Sequence, residues 1–122
     1  MLVNSKCTAK TVNEFLEINN LVRTLAVRSA FYIKQTSNLL KTSDLDVKAK
    51  LNEKYALNVQ RMVKCHITYV MTNFAIEYVD KYKFKDKNIR PILMLLIKVF
   101  AVKQLHSENH GLYSCGYFSS EN

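Results

Sequence analysis

Two histidines and a nearby cysteine are the residues of this chain whose types and spacing first suggest chemistry. His106 and His110 are four positions apart, which places both imidazoles on one face of a helix, and Cys115 follows shortly after. Zinc sites use such pairs, but the glutamate of the His-Glu-x-x-His pattern and a fourth ligand are missing from the sequence. The pattern therefore favours a polar helix end, where histidine interacts well with the helix dipole, over a metal site.

Cys65 and His66 are the second candidate, because a thiol beside an imidazole could act as a nucleophile with its base. Adjacent side chains on a helix diverge by about 100°, so these two cannot reach each other. The carboxylates are scattered, and none falls inside an apolar run that would raise its pKa for acid or base catalysis. The sequence also lacks a glycine-rich phosphate loop and a serine nucleophile motif. We therefore predict no catalytic, cofactor-binding or metal-binding residue.

The densest charge lies in one short basic segment that two aspartates interrupt. Such a segment fits a solvated connection between helices or a patch that binds anions. The net charge of +8 permits nucleic acid, an anionic membrane or an acidic partner, and no RNA-recognition, zinc-finger or helix-turn-helix signature selects among them. The basic segment comprises Lys81, Lys83, Lys85, Lys87 and Arg90, with Asp80 and Asp86 between them or beside them.

The elements that must position these residues are helices. Only two glycines and one proline occur in 122 residues, which argues against sandwiches, barrels and glycine-rich nucleotide loops. The hydrophobic share of 48% excludes a disordered chain, and the odd number of cysteines fits a reducing compartment better than a disulfide scaffold. We predict an all-α, bundle-like single domain with main helices at about 12–39, 53–81 and 89–107.

The most apolar of these helices covers residues 91–105, in which only Lys98, Lys103 and Gln104 are polar. A helix that is apolar on nearly every face needs cover on most sides, so we predict that it is the buried spine of the domain. Its unbroken apolar run, residues 92–97, is much shorter than the roughly 20 residues of a membrane span. Two amphipathic neighbours leave one side open, which implies further helices of a longer parent or another subunit.

Helix boundaries and packing faces follow from capping residues and periodicity. Thr11 and Glu14 form a capping box for the first helix, and Asn88 is the expected cap of the third helix, with Pro91 in its first turn. The opposite faces of the first two helices, which include Thr24, Arg28, Thr68 and Thr72, are predicted to be wet. The predicted packing residues are Phe15, Ile18, Val22, Leu25, Val59, Val63, Ile67, Val70, Phe74, Leu93, Leu96 and Phe100.

The last residues are predicted to form an irregular tail. Gly111 is the candidate for a left-handed residue that ends the third helix. Residues 112–122 follow it, with aromatics at Tyr113, Tyr117 and Phe118 that we expect to be exposed.

Three segments of the chain carry a resemblance to a known family. They are EFLEINNLVRTLAVRSAFYI at 14–33, KCHITYVMTNFAIEYV at 64–79, and residues 86–111 with the tail GLYSCGYFSSEN. Cys65-His66 stands ahead of Tyr69-Val70 in the second segment, and Asp86-Lys87 ahead of the apolar run in the third. In order and spacing these segments resemble the C-terminal helical region of peroxisomal acyl-CoA oxidases across most of the chain.

The resemblance implies a parent enzyme that binds FAD, oxidises fatty acyl-CoA to the trans-2-enoyl-CoA and reduces dioxygen to hydrogen peroxide. It places the catalytic glutamate and the main flavin contacts in earlier domains, so no catalytic or cofactor residue carries over to this chain. Family members usually continue with more helices and often end in a Ser-Lys-Leu-like peroxisomal address, whereas this chain ends in Ser-Glu-Asn. We therefore expect a partial C-terminal domain, inactive alone and located in the peroxisome or otherwise the cytoplasm.

The partner implied by the resemblance is the remainder of the oxidase or a second subunit in a dimer, with acyl-CoA reached only through the parent and neither nucleic acid nor membrane bound. A competing hypothesis is a stand-alone basic helical module that binds an acidic partner or nucleic acid. It predicts that charge reversal at Lys83, Lys85 and Lys87 abolishes a salt-sensitive association. A helical metal protein using His106 and His110 would instead carry stoichiometric zinc.

Overall fold

The computed structural model describes residues 5–118, and that part of the chain is helical without any strand. The predicted all-α class is confirmed. The targeting expectation rests on residues 119–122, which lie outside the described range. In chain order the elements are α1 (Val12–Phe15), α2 (Ile18–Thr42), α3 (Val47–Ala49), a π-helical segment (Lys50–Lys54), α4 (Ala56–Lys81), α5 (Ile89–Ser107) and α6 (His110–Ser114).

The first long helix is broken near its start, where a continuous helix over 12–39 was predicted. The Thr11 hydroxyl accepts a hydrogen bond from the Glu14 backbone N–H at 3.2 Å, so it caps the short α1 as its spacing indicates. The Glu14 carboxylate accepts from the Lys10 N–H at 2.7 Å. After the break, the Asn20 side-chain amide donates to the Glu14 carbonyl at 2.7 Å and so ties the start of α2 to α1.

The central helix of the bundle is α2. It packs against α1, α4, α5 and α6, and Leu21, Leu25 and Val27 on it are all 0% exposed. Because neighbours lie on several sides, α2 buries polar positions as well as apolar ones, and Thr24 and Arg28 are buried where a wet face was predicted. The main core cluster consists of Leu21, Leu25, Val27, Ala101, Leu105, Leu112 and Tyr117.

The prediction that the apolar third helix is a buried spine is wrong for this chain. α5 begins at Ile89 as predicted, although the Asn88 side chain forms no cap hydrogen bond, and α5 joins the core only near its C-terminal end, through Ala101 and Leu105. Leu96, a predicted packing residue, is 59% exposed. The long helices that contact α5 are α2 and α4, and they lie against it without covering its N-terminal half. Of the other packing residues predicted here, Leu93 is half-buried and Phe100 is exposed.

α4 also turns a different face toward α2 from the one its apolar stripe predicted. Thr68 and Thr72 are buried, whereas Val63, Ile67 and Phe74 are exposed. Each threonine hydroxyl donates to the carbonyl four residues earlier at 2.8 Å, so its polar atom is satisfied within α4 and its methyl group is free to pack. Among the remaining predicted packing residues Leu25 is buried, and Phe15, Ile18, Val22, Val59 and Val70 are half-buried.

The segment after α5 is part of the core, contrary to the predicted irregular tail. α6 folds back onto α2, Leu112 and Tyr117 are buried, and Phe118 is half-buried against the core cluster. Of the aromatics predicted to be exposed here, Tyr113 is the one that is exposed. The Cys7 N–H donates to the Tyr117 carbonyl at 3.0 Å, which joins the N-terminal segment to the C-terminal one.

The two glycines have roles that differ from the predicted one. α5 ends at Ser107, and Gly111 lies inside α6, where an added Cβ would stand 2.8 Å from the Phe31 ring and 3.0 Å from the Tyr32 ring. Gly111 therefore permits close packing of α6 on α2. The left-handed residue is Gly116, with φ of 77°, which reverses the chain after α6.

Candidate functional site

The two histidines proposed as a metal pair do not share a helix. His106 is in the last turn of α5, which ends at Ser107, and His110 begins α6; both are exposed. Within residues 5–118, no group of three histidine, cysteine, aspartate or glutamate side chains is placed to hold a metal ion. Their spacing therefore creates no shared face, because the chain turns between them.

Cys65 and His66 point to different surroundings. Cys65 is buried, and burial raises the pKa of its thiol, although the nearby Arg28 guanidinium opposes the rise. His66 is exposed, and its Nδ1 lies 3.1 Å from the Ser29 hydroxyl, which links α4 to α2. A protonated, enclosed thiol is a poor nucleophile, and the burial of Cys65 places it in the packing between helices.

Arg28 is the most unusual side chain of the interior, and sequence reasoning placed it on the wet face. It is 1% exposed, and its Nη1 donates to the Gln104 carbonyl at 2.7 Å and to the Glu108 carbonyl at 3.4 Å. These carbonyls belong to the C-terminal end of α5, where backbone acceptors lack helical partners and the helix dipole favours a cation. Arg28 therefore fixes the end of α5 onto α2.

A second basic side chain, Arg61 of α4, lies beside the same end of α5. Its Nε lies 3.7 Å from a Glu108 carboxylate oxygen, and its guanidinium carbon lies 5.7 Å from the centre of the Tyr32 ring. Burial raises the pKa of the Tyr32 phenol, and the Glu108 carboxylate raises it further. Arg61 on α4 thus contacts both Tyr32 on α2 and Glu108 at the end of α5. These contacts connect the three helices.

An apolar groove runs between α4 and α5 on the outside of the bundle. Its volume of about 630 Å³ falls in the range of ligand and peptide sites. Phe74 in its wall is 65% exposed, and single soluble domains rarely expose such a continuous apolar surface without using it for binding. The residues that line it are Met71, Thr72, Phe74, Ala75, Tyr78, Val79, Leu93, Leu96, Ile97 and Phe100.

The basic segment lies at one end of this groove. Tyr78 in the groove wall stacks on Tyr82 with ring centres 5.3 Å apart, and Tyr82 in turn meets Phe84 at 4.7 Å. Arg90 donates from Nη2 to the Tyr82 carbonyl at 3.0 Å, which holds the loop between α4 and α5 against the start of α5. The loop lysines are exposed around this aromatic base. The basic segment therefore begins where the groove ends, joined to its wall by the Tyr78 and Tyr82 rings.

A family model described as acyl-CoA oxidase matches residues 17–122, which include every long helix of the structure. The chain belongs to the acyl-CoA oxidase family. This confirms the resemblance carried by the three segments of the sequence. Searches of curated proteins and of solved structures found no significant match. Within residues 5–118 of this acyl-CoA oxidase family member, no helix is both long and apolar enough to cross a bilayer.

Acyl-CoA oxidases generally use FAD, but the lining of the α4–α5 groove does not fit it. A flavin needs hydrogen-bond partners for its ring and pyrophosphate, which protein backbone at glycine-rich turns often supplies. The groove wall instead carries polar side-chain atoms only at Thr72 and Tyr78, and the Thr72 hydroxyl is already bonded within α4. The α4–α5 groove is therefore suited to an apolar occupant, and no step through FAD is assigned to it.

Proposed function

We propose that the chain is the C-terminal helical segment of an FAD-dependent peroxisomal acyl-CoA oxidase, with a structural role. The parent enzyme would convert fatty acyl-CoA and dioxygen to trans-2-enoyl-CoA and hydrogen peroxide in fatty acid β-oxidation. The family match supports the parent activity. The observation that supports a structural role is the exposed apolar surface of α4 and α5, which needs a partner.

In this proposal the chain contributes packing, and the reaction takes place elsewhere in the oxidase. The exposed side chains of α4 and α5 pack on the remainder of the enzyme or on a second subunit of a dimer. Full burial of a large apolar side chain such as Leu96 or Phe74 stabilises a folded assembly by roughly 1.5–3 kcal/mol. Flavin contacts, the catalytic base and the acyl-CoA site belong to the remainder of the oxidase, so this chain alone is expected to be inactive.

Purification of the protein from the cells that make it tests the proposal. The chain is recovered under mild conditions, its associated polypeptides are identified by mass spectrometry, and an absorbance spectrum and acyl-CoA-dependent peroxide production are recorded. We expect the chain within a longer flavin-containing polypeptide or bound to one, with peroxide formed from a long-chain acyl-CoA. Recovery as a folded, flavin-free protein without such a partner would contradict the proposal.

The exposed lysines of the basic segment favour one competing function, a stand-alone module that binds an acidic partner or nucleic acid. In that case the purified chain would carry nucleic acid or an acidic protein and release it as salt is raised. Flavin and peroxide production would be absent from the same preparation. The two proposals therefore predict different contents of one purified sample.

A further inference from the structure

The exposed apolar side chains of α4 form a stripe that runs along several turns of the helix beside the groove. On α4 the stripe extends from Val63 to Tyr78, a distance of about 22 Å at the helical rise per residue. On α5 the exposed residues that line the groove are Leu96 and Phe100, while Ile92, Leu95 and Val99 are exposed outside its wall. An occupant that covers the α4 stripe and the groove must be elongated, and it must carry an apolar face along its whole length. The exposed apolar residues on this side are Val63, Ile67, Met71, Phe74 and Tyr78 on α4, and Leu96 and Phe100 on α5.

We propose that this groove binds an amphipathic helix whose carboxylates face the basic segment. Two neighbouring helices present a groove between their side-chain ridges, and a third helix fills such a groove with apolar residues at helical spacing. The inference rests on the proposed function for the origin of that helix, which is the remainder of the oxidase.

The charge of the basic segment determines which charged groups suit the nearby end of the partner helix. The basic segment holds five basic and two acidic residues and joins the groove through the stacked rings of Tyr78 and Tyr82. Lys83, Lys85 and Lys87 are exposed at that end. Acidic groups on a docked helix would therefore be attracted to this end, whereas basic groups there would be repelled.

The same charges disfavour two other occupants. A second copy of the chain would bring its own basic segment and a further charge of +8, which opposes association. A single fatty acyl chain could fill the groove between Phe74 and Leu96. It would leave Val63 and Ile67, which continue the apolar stripe of α4 beyond the groove wall, in contact with water. A helix covers this longer surface.

The test uses the full chain and two fluorescent synthetic peptides of about 18 residues, which span the stripe. Both peptides carry leucines at helical spacing on one face; one has glutamates in its terminal turn and the other has lysines at the same positions. Binding is measured by fluorescence anisotropy at low and high salt. We expect the glutamate peptide to bind about tenfold more tightly at low salt, with the difference shrinking as salt is raised.

Matched variants separate the charge from the apolar groove. Joint substitution Lys83→Glu, Lys85→Glu and Lys87→Glu is expected to reverse the preference between the two peptides. The control makes the same change at three exposed lysines elsewhere and is expected to keep the preference. Phe74→Ser is expected to weaken both peptides, and because Phe74 is exposed the fold is retained, as checked by circular dichroism. The control substitutions are Lys34→Glu, Lys41→Glu and Lys48→Glu.

Three results would overturn the inference. The first is that neither peptide binds, and the second is that both peptides bind equally at low salt. The third is that the chain forms a dimer that Leu96→Ser dissociates, which would make a second copy the occupant. The outcome is separable from that of the proposed function. Peptide preference without a flavoprotein in the native preparation would refute the oxidase proposal alone, whereas a native flavoprotein complex that survives Phe74→Ser would refute the groove inference alone.

Discussion

At the scale of single residues, two buried polar side chains of α2 are held by hydrogen bonds. Arg28 is tolerated in the core because its guanidinium Nη1 donates to the Gln104 and Glu108 carbonyls at the C-terminal end of α5, where the Ser107 hydroxyl also donates to Gln104 at 2.9 Å. Thr24 is tolerated because its hydroxyl donates to the Asn20 carbonyl at 2.7 Å and meets the Tyr117 hydroxyl at 3.1 Å. Burial of these residues therefore depends on the position of α5 and on the fold of residues after it.

Replacing Arg28 by methionine tests this dependence. Arg28→Met keeps much of the side-chain volume but removes the charged donor of the Gln104 and Glu108 carbonyls and leaves Gln104 with the Ser107 hydroxyl, which costs about 1–3 kcal/mol of unfolding free energy. The control is Arg23→Met on the exposed side of α2, with an expected change within about 0.5 kcal/mol. Urea unfolding followed by circular dichroism measures both variants. Equal stability of the two would show that Arg28 does not hold the end of α5.

The buried tyrosines predict how stability responds to alkaline pH. Burial raises the pKa of the Tyr117 phenol above its ordinary value of about 10. Between these two pKa values the unfolded chain loses the phenol proton while the folded chain keeps it. The contribution is complete below pH 10 and is lost as pH rises through the folded-state pKa.

Tyr117→Phe should therefore make the alkaline fall of the unfolding free energy shallower. The control is Tyr113→Phe, which makes the same change at an exposed position of α6. Urea unfolding from neutral pH to above pH 10 gives the slope for each variant. A Tyr117→Phe slope that matches the wild-type slope would contradict the assignment.

At the scale of elements, each end of α5 has a different environment. Its C-terminal end is in the core, with Leu105 5% exposed, and its N-terminal half is open. Leu105→Ala is expected to lower the unfolding free energy by about 2–5 kcal/mol, because it leaves a cavity in the core. Leu96→Ala is expected to cost much less, because Leu96 is already mostly solvated. Urea unfolding of both variants decides the matter, and equal losses would restore the buried-spine hypothesis.

Close packing of α6 on α2 gives a further prediction. An alanine at Gly111 would place its Cβ 2.8 Å from the Phe31 ring, so the aromatic side chains beside it must shift. We expect Gly111→Ala to lower stability by about 1–3 kcal/mol through overpacking. Ser114→Ala, at an exposed position of the same helix, is the control and should change stability little. A thermal melt that is unchanged by Gly111→Ala would show that α6 is not held closely.

At the scale of the whole molecule, the chain is a small core with a large apolar surface beside it. Residues of α2, α6 and the C-terminal end of α5 form that core, while α4 and α5 present apolar side chains outward. An exposed surface of this kind marks a contact with another protein segment or a tendency to associate. The family to which the chain belongs is consistent with a contact inside a larger enzyme.

This surface should bind a hydrophobic dye. The folded chain is expected to enhance the fluorescence of anilinonaphthalene sulfonate, and the joint substitution Phe74→Ser and Leu96→Ser should reduce the enhancement several-fold. Leu57→Ser, at an exposed leucine in the first turn of α4 and outside the groove wall, is the control and should have little effect. Equal enhancement by all three proteins would mean that the groove is closed in solution.

The sequence by itself determined the helical class, the family, and the start of α5. Scarce glycine and proline, helical periodicity and the proline in the first turn are local properties, so they act before any tertiary contact forms. The absence of catalytic, cofactor-binding and metal-binding residues stays a prediction. The prediction that His106 and His110 share a helix face is wrong, because it assumed that one helix continues through Glu108 and Asn109.

Only the tertiary structure decided which faces are buried. Periodicity selects the more apolar face of α4, yet α2 packs on the threonine face, because hydroxyls bonded within a helix can be buried at little cost. Likewise, the central helix is α2 and not the more apolar α5, since α1, α4, α5 and α6 all pack against α2. The groove and its basic end arise from two helices and a loop in three dimensions, so the sequence pattern of each element alone could not reveal them.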